Sequence, residues 1–149
     1  MSRRVTSFGR VEGVDAFAQT VRRLGDRLGP ARIKVPQARD DGFLRLLLDS
    51  LDPDLHVALD FRHDSWETPE IQERIDERGV ARVGALEGAA AFRYLRLREP
   101  PYGQEALAAW GERLRPLLAA GLDVYCFFRH EEEPTAPLYA ERLLELAAE

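Results

Sequence analysis

Basic side chains recur at the ends of segments in which apolar and polar residues alternate, which is the pattern of β-strands. Guanidinium groups bind phosphate and carboxylate groups through paired, charge-assisted hydrogen bonds. Several guanidinium groups close together repel one another unless an acidic neighbour or an anionic ligand compensates their charge. The pattern therefore predicts a site for a small anionic ligand, and its basic residues are Arg62, Arg96, Arg98 and Arg129.

Two acidic residues stand among these strand ends and leave two interpretations open. Asp60 and Glu131 could orient the arginines around a bound ligand. Alternatively, Asp60 pairs with one of the arginines in a network that only fills the polar interior of a sheet or barrel. Two aromatic residues raise the same choice, because Trp66 and Tyr102 could form the walls of a pocket or pack loops onto the strands.

Histidines follow two of these segments, at positions 63 and 130. An unperturbed imidazole titrates near neutral pH, so His63 and His130 are the predicted proton-transfer groups if the protein is an enzyme. With Asp60 and Glu131 they could also form a metal site. No HxH or HExxH spacing supports one, so no metal is predicted. The sequence leaves both the enzyme question and any cofactor open.

Several common catalytic classes are excluded by their missing motifs. Ser65 is not part of a GxSxG motif, and no glycine-rich loop follows a predicted strand. The chain is therefore not predicted to be a serine hydrolase, an NAD oxidoreductase or a P-loop NTPase. Cys126, the single cysteine, lies in an apolar strand, which predicts a buried, inert thiol and a reducing compartment.

The elements that must position these residues alternate between helix and strand. Such alternation predicts an α/β fold with a parallel sheet, in which ligands bind beyond the carboxyl ends of the strands. A chain of this length without an interdomain linker is expected to form one domain over residues 1–149. The predicted strands cover 32–35, 57–62, 81–86, 92–98 and 124–129, and the predicted helices cover 14–28, 41–51, 69–78, 104–120 and 138–148.

Charge and hydropathy restrict the partners and the location. A formal net charge of −5 argues against nonspecific binding to nucleic acid, whose backbone attracts positive charge. No run of eighteen apolar residues is present, so no membrane span is predicted, and no secretory leader is recognisable. A cytoplasmic protein without nucleic-acid or membrane partners is expected.

Taken in order, the predicted strands and the residues that follow them resemble segments of the YecE-like family, known as domain of unknown function 72. The resemblance covers most of the chain and implies a TIM-barrel-like fold without an established reaction. The family usually has Glu where this chain has Asp60. The matching segments are 33–36, 60–66, 94–98 with Tyr102, 125–131 and 134–140.

The same resemblance implies an incomplete barrel, because the strands that open the family's barrel have no counterpart here. The chain would match the C-terminal portion of the family, with about five of the eight βα units. Three explanations are possible: a shortened natural homologue, a fragment, or a half-barrel completed by self-association.

For the function, the first expectation is an anion-binding protein. The alternative is a noncatalytic interaction protein, with a homodimer formed through exposed sheet edges.

Overall fold

The computed structural model describes residues 13–129 and 134–148. Within them, helices and strands alternate as the sequence predicts. The strands are β1 (Ala31–Val35), β2 (Val57–Phe61), β3 (Ala81–Arg82), β4 (Phe92–Leu97) and β5 (Asp123–Phe128). The α-helices are α1 (Val14–Arg22), α2 (Asp41–Ser50), α3 (Pro69–Asp76), α4 (Gln104–Ala119) and α5 (Ala136–Ala148), and two 3₁₀ turns cover Gly25–Arg27 and Asp64–Trp66.

The described strands pair in parallel and form two sheets. One sheet has the order β1-β2-β3, and the other consists of β4 and β5. In the first sheet Lys34 lies beside Asp60, and in the second Arg96 lies beside Phe127. Helices connect successive strands in most cases, as parallel pairing requires. The predicted α/β class, with parallel strands alternating with helices, is confirmed.

The chain divides into two compact units, each with one of the sheets. Among the described residues, unit 1 comprises 13–83 and 87–90, and unit 2 comprises 84–86, 91–129 and 134–148. Each unit has its own hydrophobic core. The division into two compact units does not test the prediction of a single domain over residues 1–149, which stays a prediction.

The core of unit 1 lies between its sheet and the helices α2 and α3. Leu59 of β2 is fully buried among apolar side chains of β1 and both helices. Because side chains alternate along a strand, the neighbouring Asp60 projects from the opposite face of the sheet. The fully buried helix residues of this core include Leu44, Leu47, Ile71 and Ile75.

The core of unit 2 packs one face of β4 and β5 against α4 and α5. Leu95 and Leu97 belong to it, so they face the covering helices as the alternation predicts. The two helices meet closely at Gly111, where a Cβ would lie only 3.1 Å from the Cβ of Leu146. Gly111 therefore gives the backbone of α4 room to approach α5.

Two elements end four or more residues before the predicted limit, and a glycine with positive φ lies shortly beyond each end. The helix predicted over 14–28 ends at Arg22 and is followed by a 3₁₀ turn that begins at Gly25, with φ 53°. The strand predicted over 81–86 ends at Arg82, and Gly84 adopts a φ of 92°. Neither backbone conformation belongs to a regular α-helix or strand.

Candidate functional site

A buried carboxylate lies at the carboxyl end of β2. Asp60 is 4% exposed, and its Oδ2 accepts a hydrogen bond from Arg32 Nε at 2.8 Å. Arg32 Nη2 donates to the same oxygen, and Arg62 Nη1 lies 3.6 Å from Oδ1. Asp60 thus contacts Arg62, one of the pairings that the sequence leaves open, together with an arginine from β1. Burial without such partners would be costly for an ionised carboxylate.

Positive charge exceeds the compensating negative charge of Asp60 at this end of the sheet. Lys34 and Arg62 are exposed, and Lys34 has no polar partner within residues 13–129 and 134–148. Alternation places Lys34, Asp60 and Arg62 on the face opposite the core. Two cationic groups are therefore accessible from solvent beside one carboxylate that already pairs with Arg32.

His63 is held by the turn that follows β2. Its Nδ1 accepts the backbone N–H of Ser65 at 3.2 Å and lies 2.9 Å from Ser65 Oγ. Since a backbone N–H can only donate, Nδ1 is the unprotonated nitrogen, and the neutral ring carries its proton on Nε2. Ser65 Oγ accepts the backbone N–H of Arg39 at 2.7 Å, which leaves its hydroxyl proton for Nδ1. The exposed imidazole thus has Nε2–H as its remaining donor.

Trp66 is the last residue of the same turn, and its side chain is 0% exposed. Its Nε1 donates to the carbonyl of Gln37 at 2.7 Å, and its ring stacks on Phe61 with centroids 4.8 Å apart. The ring packs the turn onto the strand end, which is the second of the two roles that the sequence allows.

Arg82 supports this turn and was not singled out in the sequence. Its guanidinium lies 4.8 Å from the centroid of Phe61 and donates to the carbonyl of Trp66 at 3.1 Å and to Gln72 Oε1 at 2.9 Å. Removal from water lowers the pKa of Arg82. Arg82 pairs in register with Leu59, which faces the helices, so its side chain holds the turn from that side of the sheet and not from the face of Asp60.

Three predicted arginines belong to the strand ends of unit 2. Arg96 lies in β4 and Arg98 follows it; both are partly buried, and both already have interaction partners. Arg129 follows β5 and is exposed. Its backbone N–H donates to the carbonyl of Leu97 at 2.8 Å, so the ladder continues to this residue. The parallel pairing of β4 and β5 brings these arginines to one edge of their sheet.

Tyr102 packs the loop after β4 against unit 2. Its hydroxyl oxygen accepts the backbone N–H of Glu99 at 2.8 Å. Its ring meets Phe128 and Tyr139 edge to face, with centroids 5.3 and 5.5 Å away. These contacts fit the loop-packing role among the two that the sequence allows. The remaining predicted site residues, His130 and Glu131, lie outside the described residues.

The predicted residues are thus brought together in two groups, each within one unit. Sequence reasoning placed Arg32 in a strand but did not assign it to the site. The signal was its spacing of two residues from Lys34, which puts both side chains on one face of β1. In unit 1 Asp60 and Arg62 contact each other and His63 follows in the chain, whereas Trp66 packs in the core on the opposite side of the sheet. In unit 2 Arg96, Arg98 and Arg129 share the carboxyl end of their sheet.

A separate groove of about 410 Å³ lies between α2 and α3 of unit 1. Its walls carry both signs of charge, including the ion pairs Arg78 to Asp49 and Arg74 to Asp41. Because the two helices lie on the core side of the sheet, the groove is distinct from the end of β2.

Two kinds of feature are absent from the part of the chain that the structure describes. No three His, Cys, Asp or Glu side chains there are grouped so that they could hold a metal ion. None of the helices there combines the length and the apolar character needed to cross a bilayer.

Comparison with known proteins gives the same family by sequence and by structure. Residues 1–149 match the family model described as "Protein of unknown function DUF72". The crystal structure of a DUF72 family protein from Enterococcus faecalis V583 is similar, with a TM-score of 0.78 and 13% identity over 95% of this chain and 71% of that chain. One from Thermotoga maritima MSB8 has a TM-score of 0.77 and 19% identity over 93% of this chain and 65% of that chain. At these identities the likeness shows the fold alone. None of the curated proteins matches the chain.

Proposed function

We propose that this chain, which belongs to the DUF72 family of proteins of unknown function, binds a small phosphate or carboxylate ligand at the carboxyl ends of its strands. The observation that carries the proposal is the pair of exposed cationic groups, Lys34 and Arg62, beside the buried Asp60. An anion between these groups would complete the charge balance of the strand end.

The contacts of Asp60 give each neighbouring side chain a role in this proposal. Arg32 fixes the carboxylate through two donors, Nε and Nη2. Arg62 lies 3.6 Å from the other carboxylate oxygen, so its guanidinium keeps donors for a ligand. Asp60 thereby orients Arg62, and Lys34 adds an adjustable ammonium group. His63 contributes Nε2–H as a neutral donor.

The strand ends of unit 2 are proposed, by themselves, to bind an anion of the same class. Arg129 offers an exposed guanidinium, and Arg96 and Arg98 are proposed as further charge partners. Glu131 is proposed to orient them. Trp66 and Tyr102 are proposed to hold the adjoining loops in place, since both are packed against their own units. If a reaction follows binding, His63 and His130 are the proposed proton-transfer groups.

We propose for the fold a YecE-like, incomplete TIM barrel that corresponds to the C-terminal portion of the family. Coverage supports only the incompleteness, because the chain spans 71% of the Enterococcus faecalis protein and 65% of the Thermotoga maritima protein. A cytoplasmic location without nucleic-acid partners is also proposed, and it rests on the acidic net charge and the single cysteine.

A noncatalytic interaction protein is the second candidate, and one feature of β5 favours it. Within the described residues β5 pairs only with β4, so its other edge carries unpaired backbone donors and acceptors. A second copy that pairs there would form the proposed homodimer. Light scattering tests this: twice the chain mass supports self-association, and a monomeric mass with a cooperative thermal melt contradicts it.

Nuclear magnetic resonance titration tests anion binding directly. Inorganic phosphate and malonate are added to ¹⁵N-labelled protein at low ionic strength, where charge screening is weak. We expect saturable shifts of amides near Arg62 and Lys34. Arg62→Ala should weaken binding about tenfold, equivalent to about 1.4 kcal/mol, because a charge-assisted donor is lost.

Arg142→Ala is the matched control. Arg142 also faces a carboxylate and has nearly the same side-chain exposure, 40% against 38% for Arg62, but it lies on α5. The control should bind like the wild-type protein. Equal weakening in both variants would indicate a general charge effect, and the absence of saturable shifts with either anion would contradict the proposed function.

A further inference from the structure

The β4–β5 sheet has one face that does not contact its helices. Val124, Cys126 and Phe128 of β5 pack with the core of unit 2. Alternation therefore turns Tyr125 and Phe127 to the opposite face, where each makes a ring contact with β4. This second face carries the rings of Phe92, Tyr94, Tyr125 and Phe127, and Arg96 lies beside Phe127 in register.

Phe127 is the open member of this aromatic face. It stacks on Tyr94 with centroids 4.9 Å apart and planes 28° apart. Tyr94 is 9% exposed, whereas Phe127 is 46% exposed. Stacking on Tyr94 holds the ring of Phe127 in place, but part of the ring is open to solvent. A second ring could cover this exposed apolar area.

Arg129 places a cation beside that ring. The hydrogen bond from its backbone N–H to Leu97 continues the ladder one residue beyond β5, and Arg129 follows Phe127 by two residues. Side chains two residues apart in a strand share a face. Arg129 is exposed, and its guanidinium has no partner in residues 13–129 or 134–148. Ring and guanidinium are therefore both available.

We infer that Tyr94, Phe127 and Arg129 form a ring-binding surface for a planar aromatic group that carries a phosphate or carboxylate. This rests on the proposed function and specifies the ligand class. Phe127 would stack against the ring, with Tyr94 behind it, and Arg129 would pair with the anionic group. A protein partner is disfavoured because Phe92 and Tyr94 on the same face are only 1% and 9% exposed, and one open ring is far smaller than a protein interface.

Three phosphate compounds separate the contribution of the ring from that of the anion. Inorganic phosphate, methyl phosphate and phenyl phosphate are titrated into the full chain and followed by ¹H–¹⁵N spectra. We expect phenyl phosphate to bind about five- to tenfold more tightly than methyl phosphate, because only phenyl phosphate can stack. Upfield ring-current shifts should appear at amides next to Phe127.

Variants at Phe127 and Arg129 separate binding of the aromatic ring from binding of the phosphate group. Phe127→Ala should abolish the preference for phenyl phosphate over methyl phosphate, and Phe127→Trp should retain it. Arg129→Ala should weaken both compounds and keep their ratio. Leu118→Ala is the matched control, because Leu118 is 42% exposed but lies on α4. It should leave both affinities unchanged.

The outcomes distinguish this inference from the proposed function. If methyl phosphate and phenyl phosphate bind equally well at the wild-type strand ends, anion binding stands and the ring-binding surface is wrong. If the phenyl preference survives in Phe127→Ala with an intact spectrum, the ring binds elsewhere and the inference is equally wrong. If none of the three compounds binds, both proposals fail.

Discussion

Arg32 Nε donates to Asp60 Oδ2 at 2.8 Å, so a cation on β1 stabilises the buried carboxylate at the end of β2. The contact crosses from one strand to its neighbour and does not depend on residues close in sequence. It fixes the carboxylate that Arg62 also approaches. The polar face of unit 1 therefore has a structural pair, Arg32 and Asp60, beside groups that remain accessible to a ligand.

Replacement of Asp60 should lower stability. Asp60→Asn removes the negative charge from a site that is 4% exposed and leaves Arg32 without its counter-ion. We expect a loss of about 1–3 kcal/mol in the free energy of unfolding, measured with urea at neutral pH. Asp49→Asn is the control, since its pair with Arg78 is exposed and should contribute less than about 1 kcal/mol. A loss no larger than that of the control would contradict the role of Asp60.

Replacement of Trp66 should test whether it supports the turn. Trp66→Ala empties a fully buried site and should lower the free energy of unfolding by about 3–5 kcal/mol. Trp66→Phe keeps part of the apolar volume but loses the hydrogen bond to Gln37, so a smaller loss of about 1–3 kcal/mol is expected. Urea unfolding of both variants provides the measurement. A wild-type unfolding midpoint in Trp66→Ala would show that the ring contributes no packing.

Ser65 should control the tautomer of His63. Long-range ¹H–¹⁵N spectra of the wild-type protein above the histidine titration should show the proton on Nε2. Ser65→Ala removes the hydroxyl donor, so the fraction of the Nδ1–H tautomer should rise, and Ser65→Thr should restore the wild-type fraction. An unchanged tautomer in Ser65→Ala would show that the backbone N–H alone sets it. This measurement needs no ligand and is independent of the anion titrations.

Cys126 should react slowly. Burial raises the pKa of its thiol to about 11, so at pH 8 only about a thousandth of the folded protein carries the reactive thiolate. Alkylation by iodoacetamide should be at least about a hundredfold slower than in urea-unfolded protein, where the pKa is about 8.5. The folded rate should rise as the pH approaches 11. Because burial raises the pKa of Cys126 in the folded protein, the unfolded protein loses its thiol proton first as the pH rises. The free energy of unfolding should therefore decline between about pH 9 and 11. Rapid alkylation of folded protein at pH 8 would contradict this.

Strand positions were predictable from sequence to within about one residue where clear turn signals follow the strand. Pro36 ends β1, and Pro100 with Pro101 follows β4. The limits of α1 and β3 were not, because a lone glycine such as Gly84 is compatible with several backbone conformations until its contacts are formed. Its φ of 92° accompanies a hydrogen bond from its N–H to the carbonyl of Tyr94.

The site was predictable in residue type more than in pairing. Alternation placed Asp60 and Arg62 on one face, but the partner of Asp60 depends on the register of two strands distant in sequence. That register brings Lys34 beside Asp60 and leaves Arg32 within reach. The burial of Trp66 likewise depends on its stacking with Phe61, which periodicity alone does not reveal.

The close approach of α4 and α5 at Gly111 separates the helix propensity of α4 from the stability of the folded protein, which usually rise together. Gly111→Ala would raise the intrinsic helix propensity of α4 by about 1 kcal/mol. The added methyl group would also lie 3.1 to 3.3 Å from the Cβ and backbone of Leu146 and push the last helix away from its contact. An isolated peptide spanning α4 should therefore become more helical through this substitution while the intact protein does not gain the same stability, so helicity of the segment is a poor guide to selecting stable variants at this position.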